Sequence, residues 1–176
     1  LFVAPYPISP PIHGGGVFMY QTTTELAKLS DLHLIVLLDW ERERAAHDEL
    51  VQQCASAEFI VRITGGAHGL GSIVPHAIAE FSNDDLQWLI HRQIYTKRID
   101  VIQLEYLPLG QYAGEYRQIP SILFEHDIYF QSIGRQLSNM HGILKRVQAG
   151  FEYLRALRFE LRLLPKMDRV QVCSRD

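Results

Sequence analysis

Short apolar segments alternate with longer amphipathic segments along the whole chain. Six segments are apolar and short enough to be buried strands, at residues 1–5, 32–38, 57–63, 101–104, 121–124 and 170–173. The second of them, LHLIVLL, is apolar at nearly every position, as is typical of a parallel strand covered by helices on both faces. Between the strands, residues 17–29, 73–98 and 143–164 repeat apolar side chains at helical spacing, and residues 40–53 form a more charged helical pattern.

This order of strands and helices predicts the fold class. Alternation of the two elements favours a doubly wound, mainly parallel, Rossmann-like sheet with helices on both faces, that is a three-layer α/β/α fold. Within residues 73–98, Ser82 and Asn83 offer a break at which a capped second helix begins. Pro165 ends the last helix. Proline and glycine predict loops at residues 5–16 and 64–71.

Composition narrows the function classes. The 176 residues suit one domain, residues 1–176, and the 47% hydrophobic content is that of a globular protein. A net charge of −3 argues against a domain built to hold nucleic acid, which needs a basic face. The two cysteines, Cys54 and Cys173, form no CxxC pair and no zinc-site spacing, and a reduced cytoplasmic setting fits them.

The polar residues that follow the strands are the candidate ligand-binding groups, because ligands of open parallel sheets bind beyond the carboxyl ends of the strands. Each of the six predicted strands is followed by such a segment: His13-Gly14-Gly15-Gly16, Asp39-Trp40, Gly65-Gly66, Glu105-Tyr106, Glu125-His126-Asp127 and Ser174-Arg175-Asp176. The sequence therefore predicts a binding site along this one edge of the sheet.

The glycine run 14–16 precedes a helix and has two interpretations. Its backbone amides could approach a phosphate, aided by the positive end of the helix dipole. Alternatively, the run is a turn that only requires positive φ. The GxGxxG fingerprint of dinucleotide-binding domains places its third glycine on Met19, and the preceding loop is long and rich in proline, although Asp39 could serve as the ribose-binding acid.

Four other edge residues also have two interpretations each. His126 could hydrogen-bond a sugar hydroxyl or titrate near neutral pH, and we favour this functional role. Asp127 fits an N-cap better than direct ligand contact. Glu105 and Tyr106 could bind a sugar, or Tyr106 could pack beneath the loop that follows it.

The last predicted helix is basic. Arg155, Arg158 and Arg162 recur on one helical face, which we interpret as a solvated face opposite an apolar stripe of Val147, Phe151, Leu154 and Leu161 that packs on the core. The alternative interpretation is contact with anionic lipid headgroups.

Taken in order, four segments resemble the N-terminal domain of GT-B fold glycosyltransferases, specifically the retaining family 4 group. They are FVAPYPISPPIHGGGVFMYQTTTELA, IDVIQLEY, PSILFEHDIYF and MDRVQVCSRD, and they span nearly the whole chain. The resemblance implies an acceptor-side domain whose parent enzyme moves a sugar from a nucleotide-sugar to a saccharide or lipid-linked acceptor. It implies that Gly14, Gly15 and Gly16 face the donor diphosphate and that His126 is the catalytic-site histidine near the transferred sugar.

The same resemblance implies the remaining site assignments. His13, Glu105, Tyr106 and Asp127 would bind the acceptor, no metal ion or cofactor would be needed, and the nucleotide would be held by a C-terminal domain that these residues lack. We therefore expect a cytoplasmic protein, with contact at the inner face of the membrane as a further expectation. The competing functions are a nucleotide- or NAD-binding oxidoreductase domain and a non-catalytic partner in polysaccharide assembly.

Overall fold

The computed structural model describes residues 1–62, 72–115, 118–137 and 141–173. The predicted glycine loop at residues 64–71 and the candidate residues Gly65, Gly66, Ser174, Arg175 and Asp176 lie outside this described part.

The described residues form one sheet of six parallel strands. The strands are β1 (Phe2–Ala4), β2 (His33–Leu38), β3 (Ser56–Val61), β4 (Ile102–Glu105), β5 (Ser121–Glu125) and β6 (Arg169–Val172). Their order across the sheet is β3-β2-β1-β4-β5-β6, and every neighbouring pair is parallel. All six strands predicted from the sequence are thus confirmed, with bounds that shift by one or two residues.

Helices connect the strands. They are α1 (Gly14–Leu29), α2 (Asp48–Val51), α3 (His76–Glu80), α4 (Asp84–Lys97), α5 (Tyr129–Leu137) and α6 (Ile143–Leu163), with 3-10 segments at Glu41–His47, Leu107–Glu115 and Leu164–Lys166. The predicted break at Asn83 is confirmed, because its side chain accepts hydrogen bonds from the amides of Asp85 and Leu86 at 2.8 and 3.1 Å and so caps α4. The charged segment 40–53 is mostly 3-10 rather than one α-helix.

Alternate side chains of the central strands face two separate cores. On β2, Ile35 and Leu37 join a core with residues of α3 and α4, while Leu34, Val36 and Leu38 join another with Met19 of α1 and Leu50 of α2. Helices therefore cover both faces, and the predicted three-layer α/β/α, Rossmann-like fold is confirmed. The apolar character of β2 follows from this double burial.

The interpretation of α6 as a helix whose apolar stripe packs on the core is wrong. Val147, Phe151, Leu154 and Leu161 are all at least half exposed. The buried face of α6 is formed instead by Ala156, Glu160 and Leu163. At 100° per residue the four exposed apolar positions and the three arginines occupy adjacent sectors of the same helical face, not opposite ones.

The topology also locates a crevice. The chain leaves β1 for β2 on one side, whereas β4 pairs with β1 on the other side. At such a switch point the connections diverge and leave a cleft at the carboxyl ends of the two strands. The loop after β1 carries His13 and the glycine run, and β4 ends at Glu105.

Candidate functional site at the carboxyl edge of the sheet

Glu105 and His126 form the centre of the site. The Glu105 side chain is fully buried at the end of β4, and its Oε2 lies 3.0 Å from Nε2 of His126, which follows β5. Gln103 donates to Glu105 Oε1 at 2.6 Å. A carboxylate only accepts, so the His126 Nε2 carries the hydrogen of this contact, and Nδ1 is the ring nitrogen that remains for a further partner.

The His126 ring is also fixed by aromatic packing. Its centroid lies 4.8 Å from that of Phe124 on β5 and 5.7 Å from that of Phe18 on α1, in tilted and edge-on arrangements. Phe18 and Phe124 stack on each other at 4.3 Å. The ring is therefore held by one hydrogen-bonded carboxylate and two aromatic side chains, which fix the direction of Nδ1.

The glycine run forms the first turn of α1. His13 is the N-cap, and its Nδ1 accepts from the Gly16 amide at 3.1 Å, while its carbonyl accepts from the Val17 amide at 2.9 Å. None of the three glycines has the positive φ that the turn interpretation requires, so that interpretation is wrong. The amides of Gly14 and Gly15 are the ones in this turn that an anion could approach.

Gly15 is the point at which the loop meets the histidines. A Cβ built on Gly15 would lie 2.5 Å from the Tyr6 hydroxyl, 3.6 Å from His13 Nδ1 and 3.7 Å from His126 Nδ1. The same atom built on Gly14 would meet nothing within 4 Å. The absence of a side chain at Gly15 therefore permits the close approach of Tyr6 and the two rings.

Two tyrosines border this centre. Burial, followed by the charge of Glu105 and that of Tyr106, raises the pKa of Tyr6 to about 12. Burial and then the charge of Asp127 raise the pKa of Tyr106 above its usual value. Both tyrosines are thus neutral donors at physiological pH, and Asp127 lies exposed at the same edge.

Tyr106 is held in an unusual backbone conformation. Its φ is 80°, in the left-handed region, and its amide donates to the Phe124 carbonyl at 2.8 Å. The ring packs edge-on against Phe81, with centroids 5.8 Å apart. A non-glycine residue in this region costs about 1–2 kcal/mol, and such strain concentrates at ligand-binding edges.

Glu125, the residue before His126, faces the opposite side of the sheet. Its side chain is buried near Glu160 of α6, and burial followed by the Glu160 charge raises the pKa of Glu125 to about 7. The Phe130 amide in the first turn of α5 donates to Glu160 Oε1 at 2.9 Å, so Glu160 caps this helix. Because α5 begins at Tyr129, two residues after Asp127, the N-cap role expected for Asp127 is wrong.

The proline-rich loop before the glycines is anchored by His47. The His47 side chain is fully buried, and its Nε2 accepts from the amides of Ile8 and Ser9 at 3.1 and 3.2 Å. Burial lowers the pKa of His47, so the ring stays neutral and keeps this acceptor. His47 thus fixes the loop that carries Tyr6 and His13.

Asp39 does not have the surroundings of a ribose-binding acid. Its Oδ1 accepts from Arg62 Nε at 2.9 Å and forms an ion pair with the same guanidinium. A carboxylate held by arginine is poorly disposed to accept from two ribose hydroxyls.

Sequence reasoning missed three residues of the site. Tyr6 lies in the proline-rich loop, and Gln103 interrupts the apolar strand β4. Cys173 follows β6, and burial, then the charges of Asp127 and Glu105, raise its pKa. Only Gln103 had a usable signal. It precedes Glu105 by two residues, so the two polar side chains share one face of an otherwise apolar strand.

Comparison with known proteins adds no assignment. No protein-family model matches the sequence, and no curated protein matches it significantly. Within the described part of the chain, no helix is long and apolar enough to cross a bilayer, and no three histidine, cysteine or acidic side chains gather as a metal ion would require.

Proposed function

We propose that residues 1–176 form the acceptor-side domain of a retaining glycosyltransferase of the GT-B type. In this proposal the edge that carries His126 and the glycine run is one wall of the active-site cleft. A second Rossmann-like domain forms the other wall and holds the nucleotide of a nucleotide-sugar. The acceptor is a saccharide or a lipid-linked saccharide.

The observation that supports the proposal best is the arrangement of His126 beside Gly15. A buried carboxylate fixes the histidine so that Nδ1 points toward the first turn of a helix with two available amides. The two parts of a sugar diphosphate match this arrangement. The ring nitrogen can bind a sugar hydroxyl, and the adjacent helix turn can bind the diphosphate. The switch point between β1 and β4 supplies the cleft in which such a ligand would lie.

Each side chain then has a defined role. Departure of the nucleotide leaves negative charge on its diphosphate, which the Gly14 and Gly15 amides and the α1 dipole would stabilise. Nδ1 of His126 would accept a hydrogen bond from a hydroxyl of the transferred sugar. Glu105 is fully buried, so it would orient His126 without touching the acceptor. The proposal routes no step through a metal ion.

The acceptor would lie along the exposed part of the same edge. His13 keeps Nε2 available because Nδ1 is used by the Gly16 amide. Tyr106 and Asp127 lie near each other there, and they offer a donor and an acceptor for sugar hydroxyls. We place the protein in the cytoplasm, where a lipid-linked acceptor would be reached at the inner face of a membrane.

The competing dinucleotide-binding function has less support. The strand order is shared with NAD-binding domains, but Met19 replaces the third glycine and Arg62 engages Asp39. His13 also occupies one of the amides that a pyrophosphate would need at this helix.

A residue-resolved NMR titration of the 176-residue chain with UDP-glucose and, separately, with NADH tests the proposal. We expect UDP-glucose to shift the amides of Gly14 and Gly15 and the His126 ring with weak affinity, on the order of millimolar, because most of the donor contacts belong to the other domain. In the His126→Ala variant the affinity should fall several-fold.

The control is His141→Ala, which removes an exposed histidine ahead of α6 and should leave the titration unchanged. Binding of NADH on the order of micromolar or tighter, at this same edge, would favour the dinucleotide function instead. Absence of any UDP-glucose response at the glycine run would contradict the glycosyltransferase proposal.

A further inference from the structure

The outer face of α6 presents a continuous apolar surface. Six of its side chains are at least half exposed, namely Ile143, Leu144, Val147, Phe151, Leu154 and Leu161. Single exposed apolar residues are ordinary in soluble proteins, whereas a row along one helix face indicates a binding surface. Ile73 and Val74, just before α3, are also exposed and lie beside α6 in a groove of about 290 Å³.

Cations border this apolar face. Six of the 17 lysines and arginines of the chain fall within residues 145–166, although the whole chain has a net charge of −3. Arg158 and Arg162 are exposed, and with Arg155 and Lys166 they line the groove next to Ile73 and Val74. Of the two carboxylates of α6, Glu160 is buried and Glu152 pairs with Arg155 at 3.4 Å, so neither of them is placed to offset the charges of Arg158 and Arg162.

We infer that this face of α6 binds the surface of an anionic lipid bilayer. The helix would lie in the plane of the interface with Phe151, Leu154 and their neighbours among the upper acyl chains. Arg158 and Arg162 would then meet lipid phosphates. A helix of 21 residues is about 31 Å long, which gives the contact several turns. The inference concerns membrane binding alone and stands whether or not the chain belongs to a glycosyltransferase.

Charge complementarity favours a bilayer over a second copy of the chain. A two-fold contact through this face would join the patch to its own equivalent and so bring two sets of the same cations into one interface. Among the described residues α6 adds no exposed carboxylate to pair with them, and like charges in an interface weaken it. An anionic bilayer supplies both the apolar layer and the phosphates.

Co-sedimentation of the chain with vesicles tests the inference. We expect binding to phosphatidylcholine vesicles that contain phosphatidylglycerol, much weaker binding to phosphatidylcholine alone, and loss of binding at high salt. Phe151→Asp/Leu154→Asp should reduce binding by about tenfold or more, because this double variant loses the contacts of two apolar side chains with the lipid acyl chains. Arg158→Gln/Arg162→Gln should reduce it roughly fivefold for each charge removed.

Two matched controls lie on other surfaces. Leu29→Asp changes an equally exposed apolar residue at the end of α1, and Lys28→Gln/Lys97→Gln removes two exposed charges. Both should bind as the wild type does, and circular dichroism should show that every variant is folded. No binding of wild type to anionic vesicles, or equal binding by the α6 variants, would overturn the inference. If the wild type does not bind vesicles but forms a dimer in solution that Phe151→Asp dissociates, the face serves self-association and the membrane inference is wrong.

Discussion

Gly15 is the most crowded glycine of the candidate site. The Tyr6 hydroxyl lies 2.5 Å from the position a Cβ would take, and the Tyr6 ring packs edge-on against His13 with centroids 4.7 Å apart. Tyr6 cannot easily yield, because its ring is rigid and its loop is fixed by His47. The need for glycine at this position is therefore steric.

We predict that Gly15→Ala destabilises the protein by about 1–3 kcal/mol, the usual cost of overpacking. Gly14→Ala is the matched control one residue away, where the added methyl meets nothing and alanine favours the helix. Urea unfolding should show the loss in the first variant only, and the NMR signals of the Tyr6 ring should move in that variant alone. Equal stability of the two variants would show that Tyr6 adapts without cost.

At the scale of residues, the sequence located His126, Glu105 and the glycine run because they directly follow predicted strands. It could not reveal that Glu105 is buried beneath His126, since that depends on the pairing of β4 with β5. Nor could it bring in Tyr6, whose position depends on a loop held by a histidine 41 residues later in the chain.

Among the elements, the junction of β5, α5 and α6 contains two buried carboxyl groups. Glu125 and Glu160 are almost fully buried, and each has one oxygen without a hydrogen-bond partner among the described residues. Burial is the main cause that raises the pKa of each, to about 7 for Glu125. The folded protein therefore holds at least one proton that the unfolded chain would release near neutral pH.

We predict that this junction loses stability as the pH rises. Because the folded pKa values are raised, the stabilisation is complete below the ordinary glutamate pKa and is lost as the pH rises through about 7. Glu160→Gln keeps an acceptor for the Phe130 amide and removes one charge. Urea unfolding gives the free energy of unfolding at about pH 5 and about pH 8. The decrease between these two pH values should be smaller in this variant than in the wild type by about 1–2 kcal/mol.

Leu161→Gln, an exposed change on the same helix that adds no titrating group, should keep the pH dependence of the wild type. If Glu160→Gln also keeps it, the buried Glu160 carboxyl is not a source of the pH dependence and the prediction is wrong.

The elements themselves were largely predictable, because alternation of apolar and amphipathic segments identifies strands and helices without knowledge of contacts. Helix α6 is the exception. Its apolar residues recur at helical spacing, and the usual inference is that such a face is buried. Spacing alone does not reveal which surface covers a helix, and here Glu160 faces inward while Phe151 faces outward.

For the whole molecule, the strand order places one loop on each side of the switch point. Arg62, which follows β3 at the carboxyl edge, is already paired with Asp39. In the proposed function this edge therefore positions ligands without completing the charge stabilisation that transfer requires.

We therefore predict that the purified 176-residue chain does not transfer sugar from UDP-glucose to saccharide acceptors above the uncatalysed rate. Release of UDP, followed by a coupled assay, checks this directly. Robust transfer by the chain alone would show that the site is complete and would contradict the division of labour proposed above. The three-layer fold was predictable from the order of elements, but the position of the switch point between β1 and β4 required the strand pairing.

The two histidines of the site depend on different parts of the protein. His126 is held by the sheet through Glu105 and Gln103, whereas His13 is held by the helix that it caps and by a loop residue, Tyr6. In a directed-evolution library these two supports would behave as separate modules. Under the proposed function, randomising residues around His13 would alter the choice of acceptor and leave the position of His126 unchanged, so variation is best confined to the loop and kept away from β4.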